Sequence, residues 1–269
     1  MRRVATAAVL AIALAQAVPA GAADDVLPEY DGPGFVALYD YAVANTLSDL
    51  AYPDGRPQVT GDPDLDERIW RRAFERGYRL RPAATGILVS VGGARMQPRA
   101  ADAWTTLRNE IRAAGLGFGV SSAYRSPETQ RSTFLSHLSG SSDSAIDAAL
   151  TWWSIPGASK HHGGYALDFR YPNGTFGQFR GSPGYDWMIE DNFGRPKRHG
   201  LIPSYPDDVT DQGPNPEPWE FVWVGTELIR CGIPQPVPGA AGPAAAILRD
   251  IGRCPGGQEP VVIPAWLAG

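Results

Sequence analysis

Between Ser159 and Asp168 the chain runs Ser-Lys-His-His-Gly-Gly-Tyr-Ala-Leu-Asp, placing His161 and Asp168 seven residues apart across a pair of glycines. Gly163 and Gly164 let the backbone turn sharply without steric cost. Residues 165–171, which follow, predict a strand with unequal faces. Tyr165, Leu167, Phe169 and Tyr171 fall on the bulky side, and Ala166, Asp168 and Arg170 on the other. Asp168 therefore lies beside a methyl group that leaves room for an ion. A histidine and a carboxylate presented this way suit a zinc site. A buried, ion-paired aspartate has the same appearance in sequence.

The fixed positions Ser159, His161, Gly164, Ala166 and Asp168 give the pattern Ser-x-His-x-x-Gly-x-Ala-x-Asp. It resembles the zinc-binding signature of VanY-type D-alanyl-D-alanine carboxypeptidases. Two further elements share the likeness. Ser122-Ala123-Tyr124-Arg125-Ser126 with Gln130 resembles the family's Ser-x-Tyr-Arg-Ser and glutamine element, and Glu217-Pro218-Trp219 resembles the start of its Glu-Pro-Trp-His box. Order and spacing agree from roughly Gly86 to Gly225. The resemblance implies an α+β fold, hedgehog/D-Ala-D-Ala-peptidase-like, with a central antiparallel sheet flanked by helices and the metal on the sheet.

At one position the chain departs from that pattern. Where the family has histidine as third zinc ligand, this sequence has Glu220. Zinc accepts carboxylate oxygens, so a His161, Asp168, Glu220 site is chemically possible. Two anionic ligands cancel the ion's double charge, which makes its bound water less acidic, and an oxygen-rich donor set admits other divalent ions. A degenerate site without metal is the competing reading. His137 on a helix and His199 in a basic turn are poor substitutes, and His162 diverges from its neighbour His161.

Met1-Arg2-Arg3, the apolar run from Val4 to Val18 and the small residues to Ala23 resemble a signal peptide cut after Ala22. An uncleaved anchor is the alternative. No later run is long and apolar enough to span a bilayer, so a secreted or periplasmic protein without stable membrane insertion is expected. The net charge of -5 argues against a nucleic-acid partner. Cys231 and Cys254 are expected to pair in an exported chain, closing a loop that contributes about 3 kcal/mol in the chain-entropy picture.

The expected organisation is a signal peptide (1–22), a helical N-terminal extension packed on the core (23–85), a metallopeptidase-like core (86–230) and a Pro/Gly/Ala-rich C-terminal segment (231–269) carrying a short helix over 244–251. Apolar periodicity predicts helices over 35–50, 64–79, 98–114 and 141–153. Ser126-Pro127-Glu128 supplies a hydroxyl cap, a first-position proline and an early acid, so a helix begins there. Residues 117–124 predict a strand, which puts Arg125 at a strand-to-helix junction. The cluster Arg68, Arg71 and Arg72 is expected on a solvated face, and residues 173–184, broken by glycines and Pro183, as a loop near the site opening.

By resemblance, His161, Asp168 and Glu220 bind a divalent ion, most simply zinc. Glu217 is general base and later acid, and Arg125 binds the substrate carboxylate or steadies the oxyanion, its donors matching a carboxylate fork. Gln130 and Ser159 contact the peptide. The implied function is an exported peptidase acting on peptidoglycan stem peptides, removing terminal D-alanine. The alternative is a non-catalytic module that kept the peptide cleft with a degenerate metal site. A serine acyl-enzyme is disfavoured because neither Ser-x-x-Lys nor Gly-x-Ser-x-Gly occurs.

Overall fold

A computed structural model describes residues 27–233. The expected signal peptide, the helix over 244–251 and Cys254 lie outside the described residues. In chain order the elements are α1 (Gly32–Asn45), β1 (Leu50–Ala51), α2 (Pro63–Glu75), β2 (Ala83–Ala84), β3 (Val89–Val91), β4 (Ala94–Met96), α3 (Pro98–Ala113), β5 (Gly119–Ser122), α4 (Pro127–His137), α5 (Asp143–Leu150), β6 (Ala166–Arg170), α6 (Pro183–Arg198), β7 (Leu201–Pro203), β8 (Glu220–Trp223) and α7 (Thr226–Cys231).

The central sheet has the order β5-β6-β8-β7 and is antiparallel throughout. Its two faces separate as the alternation of β6 requires. Leu167, Phe169 and Phe221 join Trp104, Leu107 and Ile111 of α3 in one core. Ala166 and Val222 meet Phe35, Leu38 and Ala42 of α1, together with Leu228 and Ile229 of α7, on the opposite face. Asp168 and Glu220 continue that second face and stand opposite one another in register. Ser122 of β5 pairs with Asp168 from the other side. This α+β architecture has helices on both faces of an antiparallel sheet, as expected.

A second core gathers Ile69, Trp70 and Ala73 of α2, Phe134 of α4 and Ile146, Ala149 and Leu150 of α5. Arg68 and Arg72 do not merely face solvent. Arg68 reaches Asp143 at 2.7 Å, while Arg72 engages Asp143 and Asp147, tying α2 to α5 across the surface. Exposed pairs of this kind contribute little to stability individually, so the apolar contacts beneath carry the packing.

Helix α6 differs most from expectation, since its C-terminal half was read as a basic turn. Gly194 and Pro196 weaken its helical pattern. Its path is also broken, with Asp191, Asn192 and Phe193 at positive φ (55°, 53° and 61°). That bend lets the Asn192 side chain exchange two hydrogen bonds with the Tyr30 backbone. Buried Lys197 donates to Pro28 O and Asn192 Oδ1. Tertiary anchoring offsets the local strain.

Candidate active site

The turn before β6 is a short 3-10 segment, Lys160–Gly163, capped by the Ser159 hydroxyl and ended by Gly164 at φ 73°. Only glycine takes that left-handed angle without strain. Three hydrogen bonds stitch the turn to the β5–α4 loop. His161 Nδ1 donates to Ala123 O, the Arg125 N–H donates to His161 O at 3.2 Å, and His162 Nδ1 donates to Arg125 O at 2.7 Å. The histidine and the arginine thus share one rigid frame.

With Nδ1 engaged by a backbone carbonyl, His161 points its Nε2 toward two carboxylates, the orientation a metal-ligating histidine uses. Nε2 lies 3.2 Å from Asp168 Oδ2 and 3.1 Å from Glu220 Oε2. The three donors fall within 4.8 Å of one another and are all buried. Ligands about 2.1 Å from a common tetrahedral ion lie roughly 3.4 Å apart, close to these spacings. Asp168 Oδ1 is buried without a hydrogen-bond partner among the described residues, which is costly unless a cation shares the pocket. The donor set therefore fits a divalent metal ion.

The electrostatics agree. Burial alone would lower His161, but the charges of Asp168 and Glu220 outweigh it and push the imidazole up to about 10. Burial would raise Glu220, yet the His161 charge and its hydrogen bonds hold it down at about 2. The pocket selects positive charge. Glu217 stands well above the usual carboxylate range, because it is desolvated and faces the charges of Glu220 and Asp168.

Glu217 and Glu220 would point to opposite sides of a regular strand. Instead β8 begins only at Glu220, and residues 217–220 form a turn closed by Glu220 N–H to Glu217 O at 2.9 Å. Both side chains consequently line one cleft of about 220 Å³, with Arg125, Ser159, His161, Asp168, Tyr205 and Trp219. Its rim is aromatic. Phe176 stacks on Trp219 at 5.7 Å, and Trp153 stacks on His137 at 3.9 Å beside half-exposed Trp152. A larger depression of about 480 Å³ beside α7, bordered by Tyr41, Arg99 and Trp223, gathers no comparable set of donors.

Gln130, expected to contact the peptide, lies behind Arg125. It is fully buried, its Oε1 accepting from Arg125 Nη1 at 2.8 Å and its Nε2 donating to Ser154 O at 2.5 Å. Both ends of its amide are hydrogen-bonded, one of them to the Arg125 guanidinium. Ser122 Oγ accepts a second guanidinium N–H at 3.2 Å. Ser159 lines the cleft while capping the turn. His199 pairs with Glu110 at 2.9 Å, and His137 lies on the rim; neither joins the donor set.

His162 accepts from the Gly157 N–H at 3.0 Å through Nε2 and faces away from the cleft. Burial, helped by the positive charges of His161 and Arg125, pushes it down to about 4. Between about 4 and 6.5 the unfolded chain binds a proton that the folded protein refuses. Stability is therefore complete above pH 6.5 and falls as pH drops toward 4, by about 3 kcal/mol from this residue. Urea unfolding of the parent and of His162→Gln at pH 7 and 4.5 should show a smaller acid loss in the variant.

Sequence reasoning gave no role to Lys160, Ser204 or Tyr205. Lys160 Nζ donates to Ser204 O at 2.6 Å and Oγ at 2.9 Å, and the Ser204 hydroxyl donates to Glu220 Oε1. Burial draws Lys160 down to about 7 against the pull of Glu220. A lysine inside a buried turn was the available signal, since such a residue requires a partner. The position of that partner had none.

Comparisons with known proteins bear on the same segment. Residues 93–226 match the family described as VanY: D-alanyl-D-alanine carboxypeptidase. A D-alanyl-D-alanine carboxypeptidase of Enterococcus faecalis (strain ATCC 700802 / V583) is 28% identical over 184 residues, 65% of this chain and 66% of that protein. The chain thus spans just under two thirds of that relative's length. Among solved structures, the vancomycin-resistance D,D-pentapeptidase VanY in complex with Zn(II) is 28% identical, covering 53% of this chain and 81% of that one, with a TM-score of 0.45. DacB from Streptococcus pneumoniae D39 is 23% identical over 49% of this chain and 68% of its own, with a TM-score of 0.39. The matched segment contains Arg125, His161, Asp168, Glu217 and Glu220, and it is this segment that belongs to the VanY family of D-alanyl-D-alanine carboxypeptidases.

Proposed function

We propose that this protein is an exported, zinc-dependent peptidase that removes the terminal D-alanine from peptidoglycan stem peptides, with residues 86–230 as its catalytic core and 23–85 packed against it. The observation that carries the reading is the convergence of a buried His/Asp/Glu donor set, a desolvated carboxylate and a steered arginine in one small cleft. His161, Asp168 and Glu220 would hold the ion. Bound there, zinc would polarise a scissile carbonyl and acidify water.

The protein's own groups supply the rest. Gln130 and Ser122 fix two N–H groups of Arg125, leaving the remaining donors to meet a terminal carboxylate, which favours a carboxypeptidase over an endopeptidase. Glu217, raised by burial and by the charges of Glu220 and Asp168, lines the cleft beside the donor set, where it can take a proton and return it. The cleft is walled by Trp152, Trp153, Phe176 and Trp219, and its small volume favours a methyl side chain. No helix among the described residues is long and apolar enough to cross a membrane, and export rests on the N-terminal pattern.

The test is metal analysis of the chain lacking residues 1–22, beside an assay for D-alanine released from a pentapeptide ending in D-Ala-D-Ala. One ion per chain with D-alanine release, both lost in His161→Ala, is the expected result. A metal-free parent that binds the peptide without cleaving it would replace the enzyme by a binding module.

A further inference from the structure

We propose that Lys160, acting through Ser204, is the counter-charge that fits Glu220 for its place beside His161 and Asp168, so that lysine and glutamate work only as a pair. The inference rests on the reading of these residues as an ion site and deepens it. Lys160 is a positioning residue, since it touches neither the cleft nor the three donor atoms.

The geometry is a directed chain. Lys160 donates to Ser204 Oγ, which spends its only proton on Glu220 Oε1. The Ser204 carbonyl accepts from Lys160 as well, and the Ser204 N–H donates to Glu220 O at 3.0 Å, extending the β7–β8 pairing. Oε1 is thereby occupied and Oε2 is left facing His161 Nε2. The ammonium lies 3.5 Å over the Tyr205 ring and 5.3 Å from that of Tyr39, contacts that favour a buried cation. The neighbouring cation, Arg81, is held by Asp40 at 3.1 Å. Lys160 is thus the ammonium committed to Glu220.

Charge explains the need. Glu220 is the carboxylate that the buried ammonium reaches, through the Ser204 hydroxyl. With histidine in its place, the lysine becomes an unpaired buried cation beside the ion. Such a cation is costly, and it repels a divalent ion strongly in a low-dielectric interior.

The experiment measures zinc affinity by chelator competition and unfolding midpoints of the metal-free proteins for four forms: parent, Lys160→Met, Glu220→His and the double variant. Glu220→His should bind zinc at least about ten-fold more weakly than the double variant, from repulsion by the stranded ammonium. Both single variants should unfold at lower urea than the double variant. Additive effects on affinity and midpoint would overturn the pairing, because a merely structural lysine is not rescued by changing the ligand. If no form binds zinc, the metal reading fails while the unfolding midpoints still decide whether Lys160 and Glu220 are coupled.

Discussion

Replacing Glu217 by glutamine is expected to leave the ion in place and to lower turnover by about a thousand-fold or more, the scale set by a positioned proton-transfer group. The amide keeps the shape of the side chain but can neither take a proton nor return one. Its position permits this separation of effects. Glu217 lies on the turn before β8, whereas Glu220 opens the strand and pairs with Asp168. The donor set His161, Asp168 and Glu220 does not include Glu217. Steady-state kinetics with metal analysis on the same sample checks the outcome. Full metal with unchanged turnover would remove Glu217 from the proton-transfer role.

Phe169→Ala is expected to cost about 3–5 kcal/mol, the range for deleting a fully buried aromatic ring. Phe169 is completely buried and meets four rings: Trp104 at 5.5 Å, Phe118 at 6.0 Å, Phe179 at 6.4 Å and Phe221 at 5.5 Å. These come from α3, the segment before β5, the loop after β6, and β8. No single neighbour can move inward without dragging another element. Against a typical total of about 5–15 kcal/mol, the loss is a large share of the whole. Urea unfolding measures it, and a change below about 1 kcal/mol would mean that the core closes over the hole. Since Asp168 precedes Phe169 on the same strand, the variant should also weaken ion binding, although the ring never approaches the site.

The parts of the fold written in short-range pattern were legible in the sequence. The Ser126-Pro127 start predicts α4, and Ser126 Oγ does accept from the Thr129 N–H. The stripe of Trp104, Leu107 and Ile111 predicts α3 and is the buried face observed. The alternation around Asp168 places β6 and both of its faces. Helix α6 was hidden because its stability comes from contacts of Asn192 and Lys197 with residues 28–30, more than 160 positions away in the chain. The short pairs β1–β2 and β3–β4 span two and three residues a strand, too few to establish a period.

The candidate site divides along the same line. His161, Asp168, Glu217, Glu220 and Arg125 were named through the resemblance to the VanY pattern, and the structure brings them into one cleft. Gln130 was assigned to the peptide by the resemblance alone. The structure adds that it is fully buried against Arg125, a partnership that residue order does not show. Lys160 was visible but uninterpretable, since Ser204 lies 44 residues downstream in a segment without a motif.

The register that sets Asp168 opposite Glu220 has a consequence for when the protein can hold a cation at all. An unfolded chain offers His161 and Asp168 as near neighbours, while Glu220 lies beyond a helix and an edge strand. Coordination is completed only when β6 and β8 zip together. An ion bound across that seam is linked to the native state and scarcely to the unfolded one, so it stabilises the fold by mass action. The supply of free cation would then act as a thermostat on strand pairing: scarcity would let the seam open, and abundance would keep it shut.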